Sequence, residues 1–116
     1  MAPREINCKL LELIPNIKAL FDEVTSWQDG LDTGSTIVIE DVFMVYLKMC
    51  IEKNKTQEIE SCSSFIEWLT EHSEEEYAGD VLVVSVFEYI RFATDREKLE
   101  IVLGQKAKEK YQSIIW

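Results

Sequence analysis

Residues 73–90 read SEEEYAGDVLVVSVFEYI, three glutamates running straight into an almost wholly apolar segment. Whether this stretch is strand or helix decides the fold. A half-buried strand alternates apolar and polar residues, and residues 81–87 show no alternation. Taken at about 100° per residue, Asp80, Glu88, Arg91 and Asp95 fall within an arc of about 80°, one polar stripe on a helix. Ser73 and Glu76 have the spacing of a capping box, and acids in a first turn suit the positive end of the helix dipole. Gly79 costs such a helix about 1 kcal/mol relative to alanine. The spacing predicts one helix over 76–92, buried nearly all round.

The same test settles TIVIEDVFMVYLKMCIEKN at 36–54. Its β-branched start suggests a strand, but residues 42–47 are consecutively apolar, and Asp41, Lys48 and Glu52 form a single helical stripe. A helix over 37–53 follows. Pro3 opens an earlier helix carrying Ile6, Leu10, Leu13 and Ile14, and Pro15 breaks it. Ile17, Leu20, Phe21 and Val24 continue a second helix to about Trp27, before the loop DGLDTGS at 29–35. A helix over 56–71 presents Ile59, Cys62, Ile66 and Leu69 to the core and Glu60, Glu67 and Glu71 to the opposite side, with His72 at its C-terminus. Thr94 and Glu97 form a second possible capping box, for a helix through Leu99, Val102 and Leu103 ended by Gly104. A last helix carries Ala107, Tyr111 and Ile114. The expected fold is all-α: one domain, residues 1–116, of six or seven helices in stacked hairpins resembling an α-superhelix of HEAT type, with 37–53 and 76–92 at its centre.

Composition narrows the function classes. A chain of 116 residues with 47% hydrophobic and 10% aromatic content is one folded domain, not a disordered acidic tail. Cys8, Cys50 and Cys62 are odd in number and lack C-x-x-C spacing, so they read as reduced thiols of a cytoplasmic protein. The first ten residues lack the apolar core of a signal peptide, and no apolar run approaches the ~20 residues a membrane helix needs. The net charge of −10 argues against direct contact with nucleic acid or an anionic membrane. Its distribution is uneven. Residues 19–47 carry six acids and residues 56–90 carry nine, with no Lys or Arg in either stretch. Two readings stand: a solvated face that keeps the protein soluble, or a surface that attracts a cationic partner.

No catalytic frame is present. His72 is the only histidine, with no G-x-S-x-G, no phosphate-cradling glycine loop, no H-E-x-x-H and no EF-hand loop around it or elsewhere. The expectation is no enzyme, no catalytic residues, no metal site and no cofactor.

The stretches LLELIPNIKALFDE at 10–23, EDVFMVYL at 40–47 and FIEWLTEHSEEEYAGDVLVVSVFEYI at 65–90 resemble, in hydrophobic pattern and scattered acids, small all-helical bacterial immunity proteins of contact-dependent growth-inhibition and polymorphic toxin systems. The resemblance implies a helical, non-catalytic fold and one tight partner, a cognate protein toxin held 1:1. The pattern departs where such proteins keep a basic residue after the acidic turn, since Tyr77, Ala78 and Gly79 stand there. Many such toxins are nucleases, whose sites are cationic because they hold phosphates. The alternatives are an acidic nucleic-acid mimic that blocks a DNA-binding enzyme, or a helical adaptor. The expected partner-binding residues are Asp29, Asp32, Glu40 and Asp41 from the first base-free stretch, and Glu74, Glu75, Glu76, Asp80 and Glu88 from the second, with Tyr77 as aromatic anchor.

Overall fold

The computed structural model describes residues 1–116. The chain folds as an all-α domain of seven helices, with no strand, in successive stacked hairpins. Helix α1 is Pro3–Leu13, with Pro3 at its first position, where a missing N–H costs nothing. Pro15 starts a 3₁₀ turn that runs into α2, together 15–25, two residues short of Trp27. A loop holding the 3₁₀ turn Gly30–Asp32 leads to α3 at 35–52. Helices α4 (Thr56–Glu71), α5 (76–91), α6 (Arg96–Glu100) and α7 (Gln105–Ser113) follow. None is long and apolar enough to cross a membrane.

Helix α3 meets α1, α2, α4, α5 and α6, and beside it lies α4, which meets α1, α3, α5 and α7. Phe65 of α4 is fully buried, 5.2 Å from the ring of Phe43 on α3 and 6.2 Å from that of Trp68. A single cluster of 28 buried apolar residues runs through all seven helices, so there is one core. Connections of three and four residues make α3, α4 and α5 antiparallel in turn. Helices α3 and α5 therefore run parallel, side by side. The Ser35 N–H donates to the Tyr77 hydroxyl at 2.8 Å near their leading ends, and Lys48 Nζ lies 5.0 Å from the Tyr89 ring centre near their trailing ends.

Both of these helices widen midway into π-helix, at Ile39–Phe43 and Val81–Phe87. The Met44 N–H reaches back to the Ile39 carbonyl and the Glu88 N–H to the Val83 carbonyl, five residues each. The wide turns alter which residues share a face. In an α-helix each step of four residues overshoots a full turn by about 40°. A π-turn takes more than four residues, so the same step falls short, and the drifts offset one another. Glu76, Asp80, Val84 and Glu88, all exposed, consequently line up in one row along α5. The stripe expected at Asp80, Glu88, Arg91 and Asp95 is corrected: Arg91 is half-buried, Asp95 lies beyond the helix, and Val84 takes a place among the acids. Burial nearly all round gives way to one open row.

Both expected capping boxes fail. The Ser73 hydroxyl donates back to the Thr70 carbonyl at 2.6 Å, finishing α4, and Glu75 is the residue before α5. Asp95, not Thr94, precedes α6, with no side-chain cap bond, and α6 ends at Glu100 rather than running to Leu103. Reversing the chain between α4 and α5 takes all of 72–75, which leaves Ser73 too early to cap.

Two polar contacts fix the outer helices. Asn7 of α1 is fully buried, its Nδ2 donating to the carbonyls of Leu31 (3.0 Å) and Thr33 (2.8 Å), while its Oδ1 accepts the Ser35 hydroxyl at 3.1 Å. It clamps the α2–α3 loop to α1. Glu67 of α4 caps α7, accepting the N–H groups of Ala107 (2.8 Å) and Lys106 (3.3 Å). The carboxylate reaches them past Gly104, where a Cβ would stand 2.6 Å from Glu67 Oε1. Glu67 lies opposite the core face of α4 in the helical pattern, yet it makes a contact that fixes α7. Its partners lie about forty residues away, beyond any local pattern.

Gly79 generates a prediction whose sign the fold reverses. Helix propensity alone makes Gly79→Ala stabilising by about 1 kcal/mol. A Cβ there would meet the Ser73 carbonyl oxygen at 2.5 Å, and that atom is backbone. Gly79→Ala is expected to lower the thermal midpoint, and a raised midpoint would show that the 72–75 turn yields freely.

Candidate functional site

The start of α1, the loop before α3 and the start of α5 meet at one end of the molecule. The N-terminal ammonium of Met1 lies 3.2 Å from Glu75, and the Arg4 guanidinium makes two hydrogen bonds to Asp32, at 2.9 and 3.2 Å. The Pro3 carbonyl accepts the Ser35 hydroxyl at 3.4 Å. The guanidinium holds the exposed Asp32 carboxyl below its ordinary value, chiefly through the hydrogen bond. These cations come from the first four residues, outside both base-free stretches, and nothing in local spacing points to them.

The ten residues singled out by sequence accordingly divide. Asp32 and Glu75 are occupied by internal ion pairs. Tyr77 is half-buried with its hydroxyl engaged by Ser35, so it ties α5 to α3 and is not a free anchor. Asp29 is exposed in the α2–α3 loop, where its N–H donates to the Thr33 hydroxyl at 3.2 Å. Glu40 is half-buried in the π-segment of α3. Glu74 is exposed in the 72–75 turn, and Asp41, Glu76, Asp80 and Glu88 are exposed on the two helices. Of the ten, only Asp32 and Glu75 form ion pairs within the chain.

Sequence reasoning missed the apolar members of the same surface. Val45 and Val84 sit in apolar runs and read as core, yet they are 47% and 49% exposed, and Ile37 is 37% exposed. Ile37, Asp41 and Val45 recur every four residues on α3, as Glu76, Asp80, Val84 and Glu88 do on α5. Lys48 and Glu88 line one shallow cavity with Tyr89, joining the two helices at their trailing ends. The result is a pair of rows on neighbouring helices in which exposed methyl groups stand among exposed carboxylates.

His72 Nδ1 lies 2.9 Å from the Trp68 carbonyl, and its ring rests 4.6 Å from the Trp68 ring centre. No group of three or more His, Cys, Asp or Glu side chains is arranged to hold a metal ion. Cys50 and Cys62 are buried with Tyr46 where α3 meets α4, while Cys8 is exposed. Burial pushes the Cys62 thiol up to about 12 and raises Cys50 and Tyr46 as well. A thiol held protonated is a poor nucleophile.

Residues 8–116 match a family described as a domain of unknown function, DUF7674, and the chain belongs to it. No curated protein and no solved structure matches the chain.

The buried thiols set an alkaline limit. Their folded pKa values lie above the unfolded thiol value of 9.0, so the stability they contribute is full below that pH. It is lost as pH rises towards 12, because only the unfolded chain can ionise readily. Denaturant midpoints should fall between these limits, less steeply in Cys62→Ala than in the parent. Equal slopes in the two proteins would contradict this.

Proposed function

We propose that this member of the DUF7674 family acts by binding rather than by catalysis, as an immunity protein that neutralises a cognate basic toxin 1:1 in the cytoplasm. The surface it offers is the pair of rows on α3 and α5. The observation that carries this reading is their mixed character: Asp41, Glu76, Asp80 and Glu88 have no ion-pair partner within the chain, and Ile37, Val45 and Val84 stand exposed among them.

Exposed valine and isoleucine among acids give this face an apolar component beside its charge. An interface uses both, since apolar groups gain from losing water at the centre of a contact. Carboxylates around them set orientation and raise the association rate, towards roughly 10⁸–10⁹ M⁻¹s⁻¹ at low salt. A toxin that acts on nucleic acid presents a cationic site of the complementary kind. Speed of capture suits the task.

The test uses the cognate toxin, which this proposal places in the gene beside that of this chain. Lysine at Asp41, Asp80 and Glu88 together is expected to slow association at least tenfold, flatten its salt dependence and abolish relief of growth arrest, with little change in thermal midpoint. Asp32→Asn, whose charge Arg4 already answers, should leave the rate near that of the parent. Unchanged association in the triple variant would remove these rows from the contact.

A further inference from the structure

The end of the molecule formed by the close of α5 with α6 and α7 has a different character. Phe92, Ile101 and Trp116 are 74%, 69% and 39% exposed, and the Phe92 and Trp116 rings meet edge to face at 6.0 Å. Beside them opens a cavity of about 440 Å³ whose lining includes Arg91, Glu100, Ile101, Lys108, Tyr111 and Trp116. Small-molecule sites commonly enclose about 300–1,000 Å³ of mostly apolar surface with a few convergent polar groups.

The charges around this cavity are unevenly satisfied. Glu100 accepts the Tyr111 hydroxyl at 2.7 Å and lies 4.0 Å from Arg96, so its negative charge is answered from two sides. Neither Arg91 nor Lys108 takes part in any ion pair. The Arg91 guanidinium lies over the Trp116 indole, 5.8 Å from its centre, and Tyr111 packs against the same indole at 5.6 Å. In a chain of net charge −10, two cations outside any ion pair line one aromatic-walled cavity. Cations that served solubility alone would sit beside the abundant acids.

We propose that this cavity binds a small organic monoanion with a flat apolar body, an aromatic carboxylate of one or two rings. Its carboxylate lies between Arg91 and Lys108, and its ring lies against Trp116 and Tyr111. A guanidinium favours this ligand class because its planar fork matches the two oxygens of a carboxylate. The indole supplies a stacking surface that a hydrated inorganic anion could not use. None of the residues assigned to the toxin-facing rows takes part, so this inference stands or falls separately from that one.

The experiment is a titration of the ¹⁵N-labelled chain with 2-naphthoate and, in parallel, with uncharged 2-naphthamide, read at the indole N–H signals of Trp27, Trp68 and Trp116. The expected result is a saturable shift of the Trp116 signal with naphthoate while Trp27 and Trp68 hold still, and at least tenfold weaker binding of the amide. Arg91→Gln and Lys108→Gln should each weaken naphthoate several-fold, and Lys18→Gln, on α2, should not. Lys108 is exposed, so its variant keeps the test decisive even if Arg91→Gln perturbs the fold. Equal binding of the amide, shifts centred on Trp27 or Trp68, naphthoate affinity unaltered in Lys108→Gln, or no saturable change in the millimolar range would each overturn the proposal.

Discussion

Because α4 runs antiparallel to α3, and α5 antiparallel to α4, the first and last of these must point the same way. Their positive dipole ends then meet at one end of the molecule, an unfavourable pairing that nearby acids offset. Glu74, Glu75 and Glu76 at the start of α5, and Asp29 and Asp32 before α3, are where that field favours them. Such a concentration of acid then needs its own relief, and the start of α1 brings Met1 and Arg4 to Glu75 and Asp32. Asn7 holds α1 in that position through the carbonyls of Leu31 and Thr33. The direction of two helices thus dictates the placing of a third.

The acids further along α3 and α5 receive no such relief. Asp41, Asp80 and Glu88 lie beyond reach of the N-terminal cations, in rows that the π-segments straighten. Those segments are rich in β-branched residues, which crowd the preceding turn of an α-helix, so a wider turn suits them. The same geometry exposes Val45 and Val84 between the acids. Packing accordingly leaves one surface of the hairpins uncovered and mixed in character, and the functional proposal rests on that surface.

Much of this was legible in residue order. The failure of alternation at 81–87 identified a helix, and the expected spans 37–53, 56–71 and 76–92 lie within two residues of those observed. Periodicity reads such elements well because each helix must bury a stripe. It cannot tell which side of a nearly all-apolar helix will lack a neighbour, and so Val45 and Val84 were assigned to the core. Nor does it show that α4, with its plain amphipathic pattern, shares the centre with α3. Partners distant in sequence were equally hidden: Arg4 with Asp32, Glu67 with Ala107, and Tyr77 with Ser35 depend on the finished fold. Of the ten candidate residues, three proved occupied within the chain for this reason.

The exposed methyl groups offer the most direct measurement of the central claim, that the rows on α3 and α5 face the partner. Methyl spectra of the Ile- and Val-labelled chain, free and saturated with the proposed cognate toxin, report on Ile37, Val45 and Val84 within the rows. Ile101 and Ile115, exposed outside the rows, serve as internal controls. Shifts or broadening at Ile37, Val45 and Val84, with Ile101 and Ile115 unmoved, are the predicted result. Movement at Ile101 and Ile115 while the row methyls stay as in the free protein would contradict it.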